Sequence, residues 1–179
     1  MRFSSTCVEG AYTIDLAPHK DSRGLFARMF CQDVFARQGL DPNIVQANCS
    51  WSKEKGTLRG LHYQLAPSEE TKLVRCLSGA IYDLVVDLRP QSSSFRKWHG
   101  EILTPENRKM LYVPRGCAHG FITLEPNSEL FYMVSAAYSK ENERGIRWDD
   151  PYFAIDWPLV PTVISEKDLV HPFYEEAFR

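Results

Sequence analysis

The sequence predicts an all-β protein, a β-sandwich or jelly roll with a few short helices at its periphery. Runs rich in β-branched and aromatic residues recur at close spacing, and Gly, Pro, Asn or Ser separate them. Helical character is confined to residues 32–38, which Gly39 closes, and to the tail after Ser165. Many short strands with few helices are typical of two packed sheets.

The strands are clearest in the middle of the chain. Residues 73–77 and 80–88 are β-rich runs joined by Ser78-Gly79, a turn signal that predicts a hairpin. Three more strands are predicted between turns, at residues 109–113, 120–124 and 129–134. No repeat, low-complexity tract or linker divides the chain, so residues 1–179 are predicted to form a single domain.

Composition excludes several classes of protein. The 21 basic and 23 acidic residues are scattered and sum to −2 at pH 7, without the cationic clusters that nucleic-acid binding requires. The N-terminal segment lacks the apolar run of a signal peptide, and no stretch approaches the roughly 18 apolar residues of a membrane helix. Five cysteines without a C-x-x-C pair predict reduced structural thiols. We therefore expect a cytoplasmic protein with no nucleic-acid or membrane partner.

The first candidate for chemistry is His62, in the segment 56–64, where glycines and aromatic residues flank it. A lone histidine is more often structural than catalytic, but an imidazole is also well suited to proton transfer at neutral pH. Alternation along a regular strand places His62 and Arg59 on opposite faces. Arg59 therefore shares a site with His62 only if the strand bends, and Gly60 is the residue that allows this bend.

Three further candidates have no distinctive local signal. Asp168 lies three residues after Ser165, the spacing of a helix-capping box, and on local evidence capping is the favoured interpretation. Tyr132 is consistent with an ordinary strand aromatic, and Lys72 with a solvated charge. A catalytic role for these residues has to come from their combination.

The chain also carries a set of ordered motifs that extends over most of its length. They are Asp21-x-Arg23-Gly24-x-Phe26, Gln46-x-Asn48-x-Ser50, the segment 56–64, Lys72-Leu73-Val74-Arg75, the segment 113–121, Tyr132, Tyr138, Glu143, the segment 146–151 and Ser165-Glu166-Lys167-Asp168. Together they closely resemble the family of dTDP-4-dehydrorhamnose 3,5-epimerases. So many matches in the same order are highly specific for that family.

The resemblance implies a cupin-type jelly roll, or double-stranded β-helix, that works as a homodimer and needs no cofactor or metal. The implied activity is inversion at C3, C5 or both of a nucleotide-linked 4-keto-6-deoxy sugar, with dTDP-4-dehydro-6-deoxyglucose as the first expectation. By the same resemblance His62 is the general base, Asp168 orients it, and Tyr132 is the general acid. Lys72 and His119 contact the 4-keto oxygen.

The remaining site residues are also assigned by resemblance. Arg59 is expected to hold phosphate, and Tyr138 is expected to stack on the nucleobase. Other substrate contacts are expected at Arg23, Phe26, Gln46, Asn48, Glu143 and Lys167. In the homodimer each site is expected to borrow residues across the interface, with residues 23–30 as the donor segment.

Arg28 departs from the family motif, which continues Asp-x-Arg-Gly-x-Phe-x-Glu and so has a carboxylate at this position. A carboxylate there can accept the N3–H of thymine, whereas arginine has only donors. If Arg28 faces the base pocket, it favours a CDP-linked sugar, because cytosine presents acceptors at N3 and O2. If it turns to solvent or pairs with an acid, the thymine contacts fall to Gln46, Asn48 and Tyr138.

Three alternatives stay open. The epimerase can be specific for C3 or for C5 alone, because residue identities do not report how the sugar ring sits. Pro114-x-Gly116-x-x-His119 also resembles a metal motif of metal-dependent cupins, with His62 as a second ligand and Gln64 and Glu69 nearby, although glutamine is a poor ligand for transition metals. A non-catalytic sugar-binding cupin is the third, although binding alone requires no acid, base and base-orienting carboxylate.

Overall fold

The computed structural model describes residues 1–177, so positions 178 and 179 of the predicted domain lie outside the described residues. The described chain forms fourteen β-strands and three short helices. The strands are β1 (Arg2–Ser5), β2 (Tyr12–Asp15), β3 (His19–Asp21), β4 (Gly24–Phe26), β5 (Gln46–Ser52), β6 (Thr57–Gln64), β7 (Lys72–Ser78), β8 (Ile81–Asp87), β9 (Trp98–Leu103), β10 (Met110–Val113), β11 (Cys117–Thr123), β12 (Ser128–Val134), β13 (Glu143–Gly145) and β14 (Val163–Ile164). The helices are α1 (Gln32–Arg37), α2 (Glu166–Leu169) and α3 (Tyr174–Ala177).

Two main sheets carry the fold. The first sheet has the strand order β1-β2-β10-β7-β12-β5, and the second has the order β13-β6-β11-β8-β9 with β14 added in parallel to β6. From β5 to β8 the chain alternates between the two sheets, which is typical of a jelly roll. The predicted all-β jelly roll with short peripheral helices is therefore confirmed.

The predicted hairpin at Ser78-Gly79 is wrong, although both of its strands exist. β7 pairs with β10 and β12 in the first sheet, whereas β8 pairs with β11 and β9 in the second. The turn, with Gly79 at a φ of +68°, carries the chain from one sheet to the other. β8 is buried along almost its whole length, so both of its faces must be covered. Its position between β11 and β9 in the second sheet, which packs on the first, provides this cover. Two β-rich runs around a glycine turn look the same in sequence in either arrangement.

The main core fills the space between the two sheets. Its fully buried residues include Val74, Ile81, Val85, Leu111 and Leu130, which come from both sheets. Burial of one such side chain contributes about 1.5–3 kcal/mol. This cluster therefore holds the two sheets together and sets the distance between them.

The predicted helix at residues 32–38 is confirmed as α1, which lies at the periphery. Its buried residue Phe35 packs in one cluster with Ile14, Leu73 and Met110. Gly39 adopts a φ of +76° just after the helix, as a glycine stop requires. The predicted helical tail consists of α2 and α3, which have four residues each. In the described chain, each helix is too short for a transmembrane span.

β3 and β4 form a two-stranded arm that pairs with neither main sheet. Two of its apolar side chains are exposed, Phe26 by 65% and Leu25 by 40%. Arg23 is held within the arm by Asp21, with Nη2 2.6 Å from Oδ2. An exposed apolar surface on a projecting arm is typical of a contact with another chain.

Candidate active site

A cavity of about 440 Å³ lies between the two main sheets. One wall comes from β6 and β11 of the second sheet, and the opposite wall comes from β5, β7 and β12 of the first sheet. The segment from β14 to α2 closes one side. The predicted site residues that line it are Arg59, His62 and His119 on the second-sheet wall, Lys72 and Tyr132 on the first-sheet wall, and Lys167 and Asp168 on α2.

A bulge in β6 brings Arg59 and His62 to the same wall. His62 pairs with His119 and Arg59 pairs with Phe121, so three steps along β6 match two steps along β11. Gly60 lies in the bulge at a φ of +126°, where a Cβ would be 2.6 Å from the backbone of β11. Only glycine fits so close an approach of two backbones. The bend predicted at Gly60 is confirmed.

His62 is paired with Asp168, which lies 106 residues further along the chain. His62 Nε2 and Asp168 Oδ1 are 2.7 Å apart, and the other carboxylate oxygen accepts a hydrogen bond from Gly60 N–H at 3.2 Å. The Asp168 side chain is 5% exposed and that of His62 is 28% exposed. Because Nε2 faces a carboxylate, it carries the ring proton, and Nδ1 is left as the basic atom.

The pKa of the Asp168 carboxyl lies well below its usual range. Burial acts to raise this pKa, but the interactions with His171 and His62 and the hydrogen bond from Gly60 outweigh burial. The Ser165 hydroxyl accepts the Asp168 backbone N–H at 3.1 Å and so caps α2. The capping interpretation is therefore right for Ser165, whereas the Asp168 carboxylate binds the imidazole of His62.

Lys72 and Tyr132 face this pair from the first sheet. Lys72 Nζ lies 3.2 Å from Glu70 Oε1 and both side chains are 11% exposed, so the interpretation of Lys72 as a solvated charge is wrong. Burial raises the pKa of the half-buried Tyr132 phenol above its ordinary value, and the negative charge of Glu70 raises it further. The phenol is therefore protonated at neutral pH, as a general acid must be.

His119 is held by a buried carboxylate behind the cavity wall. His119 Nε2 is 2.8 Å from Asp83 Oδ1, and Asp83 is 0% exposed. The other oxygen of Asp83 has no hydrogen-bond partner among the described residues. The carboxylate therefore fixes the orientation of the His119 ring at the cavity wall.

Four predicted residues form a connected group beside the cavity. Gln46 Oε1 accepts the N–H of Tyr138 at 2.7 Å, and the Tyr138 hydroxyl donates to Glu143 at 2.9 Å. Lys167 Nζ lies 2.6 Å from the same carboxylate and connects the group to the cavity. The Tyr138 side chain is exposed, which leaves a ring face available for a planar group. Asn48 lies on the same half-buried face of β5 as Gln46.

Arg23, Phe26 and Arg28 are not among the residues that line this cavity. All three are exposed: Arg23 and Phe26 lie on the β3–β4 arm, and Arg28 follows it by two residues. Arg28 and Phe26 instead line a separate depression that also includes His19 and Val34. Substrate contacts by these three residues therefore require the arm to lie against another chain.

Sequence reasoning misses three residues that contact the predicted ones, namely Glu70, Asp83 and His171. Glu70 precedes Lys72 by two residues, the spacing of one strand face. Asp83 is a charge inside an apolar run, which is a signal of a paired buried group. His171 follows Asp168 by three residues, the spacing of one helix face. None of these local signals shows that the residue contacts a side chain of the cavity.

The described residues include one set of close potential metal ligands, His62, Asp168 and His171, whose donor atoms lie within 4.8 Å of one another. Donors around a tetrahedral zinc ion are about 3.3 Å apart. Here a direct hydrogen bond already joins His62 to Asp168, so the set fits a hydrogen-bonded cluster better than a metal cage. In the metal-dependent alternative Gln64 lies near the ligands, but its amide oxygen accepts the backbone N–H of Ser139 at 2.6 Å.

The two-sheet fold, with a cavity between the sheets that brings His62, Asp168, Lys72 and Tyr132 together, defines a jelly-roll protein of the cupin class that is equipped for proton transfer. A profile of the family described as dTDP-4-dehydrorhamnose 3,5-epimerase matches residues 5–176. The chain belongs to this family.

Known members are similar to this chain over nearly their whole length. The dTDP-4-dehydrorhamnose 3,5-epimerase of Sinorhizobium fredii is 43% identical over 173 residues, which covers 96% of this chain and 89% of that protein. The crystal structure of the Elizabethkingia anophelis enzyme superposes with a TM-score of 0.94 at 36% identity and covers 98% and 97% of the two chains. The Legionella pneumophila dTDP-6-deoxy-D-glucose-3,5-epimerase, solved in complex with dTDP-4-keto-L-rhamnose, has a TM-score of 0.91 at 36% identity over 97% and 93%.

Proposed function

We propose that this chain inverts C3 and C5 of dTDP-4-dehydro-6-deoxyglucose and so produces dTDP-4-dehydrorhamnose. The observation that carries the proposal is the placement of a base and an acid on opposite walls of one cavity. His62 lies on the second-sheet wall and Tyr132 on the first-sheet wall. Inversion of a carbon centre needs this arrangement, because the proton must leave from one face and return to the other. The choice of substrate rests on the relatives described above.

The first step is removal of a proton from a carbon next to the 4-keto group. His62 takes this proton on Nδ1, because Nε2 is directed at Asp168. The C–H bond breaks, its electrons form the enolate, and the imidazole becomes an imidazolium. Asp168 fixes the tautomer of His62 and stabilises the positive charge, as expected of a base-orienting carboxylate.

The enolate oxygen must be stabilised while the proton is absent. Lys72 and His119 are the cationic groups for this role, one from each wall of the cavity. Each donor of this kind lowers the barrier by about 3 kcal/mol when it is held in place beforehand. Glu70 holds Lys72, and Asp83 holds His119. The proposed chemistry is complete with these side chains and needs no cofactor or metal.

The second step returns a proton to the opposite face of the carbon. Tyr132 donates it and becomes a phenolate, and the enolate collapses to the ketone with inverted configuration. The nucleotide is held away from the reacting ring, with Arg59 on phosphate and Tyr138 stacked on the base. Gln46, Asn48, Glu143 and Lys167 make the remaining polar contacts.

We further propose that residues 1–179 form one functional domain that works as a homodimer. The exposed apolar arm supports this, because Arg23, Phe26 and Arg28 serve as substrate contacts only in the site of a second chain. We propose a cytoplasmic location, since all five cysteines are free and Cys7 and Cys49 are exposed, as fits a reducing compartment.

Proton exchange with solvent tests the function directly. In D2O, NMR should detect dTDP-4-dehydrorhamnose with one deuterium at C3 and one at C5 after incubation with dTDP-4-dehydro-6-deoxyglucose. The matched variant His62→Ala should incorporate neither label. Label at one carbon only would redefine the chain as a C3-only or C5-only epimerase, and binding without any label would make it a sugar-binding protein. Activity lost on dialysis against EDTA and restored by a metal ion would favour the metal-dependent alternative.

A further inference from the structure

His171 shares the carboxylate of Asp168 with the base. Its Nε2 lies 3.4 Å from Asp168 Oδ1, the same oxygen that is 2.7 Å from His62 Nε2. The two imidazole rings meet edge to face, with centroids 5.5 Å apart and an interplanar angle of 82°. One carboxylate oxygen therefore faces two imidazoles.

The fold makes room for His171 at this place. Its side chain is 11% exposed. Its ring occupies the space beside Gly145, where a Cβ would overlap the imidazole, and Gly145 pairs with His62 across β13 and β6. His171 Nε2 has no hydrogen bond of regular geometry to a described residue, and the anion it faces is Asp168. His171 is not among the residues that line the cavity, so it acts on the reaction only through other side chains.

We propose that His171 is a positioning residue for the base, which competes with His62 for Asp168 and thereby sets the pH below which the base is lost. The inference rests on the proposed epimerase function and deepens it. Asp168 stabilises the protonated form of His62 by charge and by a hydrogen bond. A second imidazole directed at the same oxygen withdraws part of this stabilisation.

Both possible charge states of His171 act in the same direction. A neutral His171 with its proton on Nε2 reduces the negative potential at Oδ1, and a protonated His171 also places a positive charge beside the His62 ring. Either effect disfavours the imidazolium form of His62. His62 therefore stays neutral, and able to act as a base, at lower pH than it would with Asp168 alone.

The other charged groups around His171 already have ion-pair or hydrogen-bond partners. Glu143 and Lys167 are paired at 2.6 Å, and Arg144 donates to backbone carbonyl oxygens. Arg147 is paired with Asp149. The titratable and charged groups that line the same depression as His171 are Tyr63, Glu143, Arg144 and Lys167, and its ring lies against His62 and Asp168. Of the two acids in this set, Glu143 is paired with Lys167, and Asp168 lacks a Lys or Arg partner in the described chain.

The test is the pH dependence of His171→Leu, which removes the N–H and the charge of the ring. The acidic limb of the kcat/KM profile, which reports the base of the free enzyme, is expected to move about one unit towards higher pH. The NMR titration midpoint of the His62 Cε1–H should move in the same direction by a similar amount. KM at pH 8 should not change, because His171 does not line the cavity. His171→Gln is a second variant: it cannot be protonated, but its amide can still donate to Asp168, so its shift should have the same direction and be no larger than that of His171→Leu.

His99→Leu is the matched control. It removes another largely buried imidazole, on β9 with Nε2 3.7 Å from Glu101, and should leave the acidic limb in place. An unmoved limb and an unmoved His62 titration in both His171 variants would overturn the inference. So would an equal fall in activity at every pH, which a purely structural role predicts. The NMR titration uses no substrate and so does not depend on the proposed function. If the wild-type protein showed no epimerase activity but the His62 midpoint still moved in the His171 variants, the proposed function would be contradicted and the competition for Asp168 would be supported.

Discussion

Asp83 holds His119 from behind the cavity wall, with Oδ1 2.8 Å from Nε2 and a carboxylate that is 0% exposed. The pair explains how a histidine at the second-sheet wall is oriented and kept ready for a negatively charged oxygen. The Asp83→Asn variant keeps an acceptor for Nε2–H but loses the negative charge beside the ring. We expect kcat to fall about 10- to 100-fold without loss of folding.

A double-mutant cycle checks this role for Asp83. If Asp83 acts through His119, Asp83→Asn should add little to the loss already caused by His119→Gln. Losses that multiply in the double variant would show that Asp83 acts by another route.

Asp168→Asn is expected to fold normally and to lose about 10²- to 10⁴-fold in kcat, because the His62 tautomer is no longer fixed. The helix cap is retained, since Ser165 accepts the backbone N–H at position 168. The comparison variant Ser165→Ala should lower the free energy of unfolding by about 1 kcal/mol and Tm by about 2–4 °C, with a much smaller effect on kcat. Near-full turnover in Asp168→Asn together with a lowered Tm would restrict the Asp168 carboxylate to a structural role.

Tyr132→Phe should separate the two proton transfers. Proton removal by His62 survives without the phenol, whereas delivery to the opposite face does not. Deuterium exchange measured by NMR is therefore expected to outlast net epimerisation. Because burial and Glu70 raise the pKa of Tyr132, any fall of kcat caused by loss of its proton should occur at higher pH than for an ordinary phenol. Equal loss of exchange and epimerisation in Tyr132→Phe would remove it from the acid role.

The arm is tested by mixing two inactive variants, His62→Ala and Arg23→Ala. If the arm completes the site of the partner chain, half of the reassembled dimers are mixed and one of their two sites is intact. About a quarter of wild-type kcat/KM should then return. No recovery, or an active protein that sediments as a monomer, would contradict the shared site.

Arg28 has no acceptor for the N3–H of thymine, so we do not expect it to read the nucleobase of the dTDP-linked substrate. The kcat/KM for the dTDP-linked 4-keto sugar should exceed that for the matched CDP-linked sugar, and Arg28→Glu should leave this preference unchanged. A CDP preference that Arg28→Glu reverses would make Arg28 a base-reading residue.

The sequence by itself determines the strands in the middle of the chain, the position of α1 and the residue types of the site. Period-two patterns and glycine stops are local signals, and they predict β8, β12 and Gly39 correctly. The motifs around His62 and Asp168 also identify the family without a structure. The bend at Gly60 is also predicted, because alternation along a regular strand would put Arg59 and His62 on opposite faces, and the structure has the bulge there.

Only the tertiary structure decides which strands pair and which side chains meet. The turn at Gly79 has the same local signal whether it closes a hairpin or crosses between sheets, and burial of β8 on both faces selects the crossing. Lys72 looks solvated in sequence because Glu70 and the facing sheet, which bury it, are not visible in its own segment. Asp168 meets His62 across 106 residues, and His171 meets both. Such contacts depend on how the sheets pack, because side-chain burial and pairing are properties of the folded chain and not of local sequence.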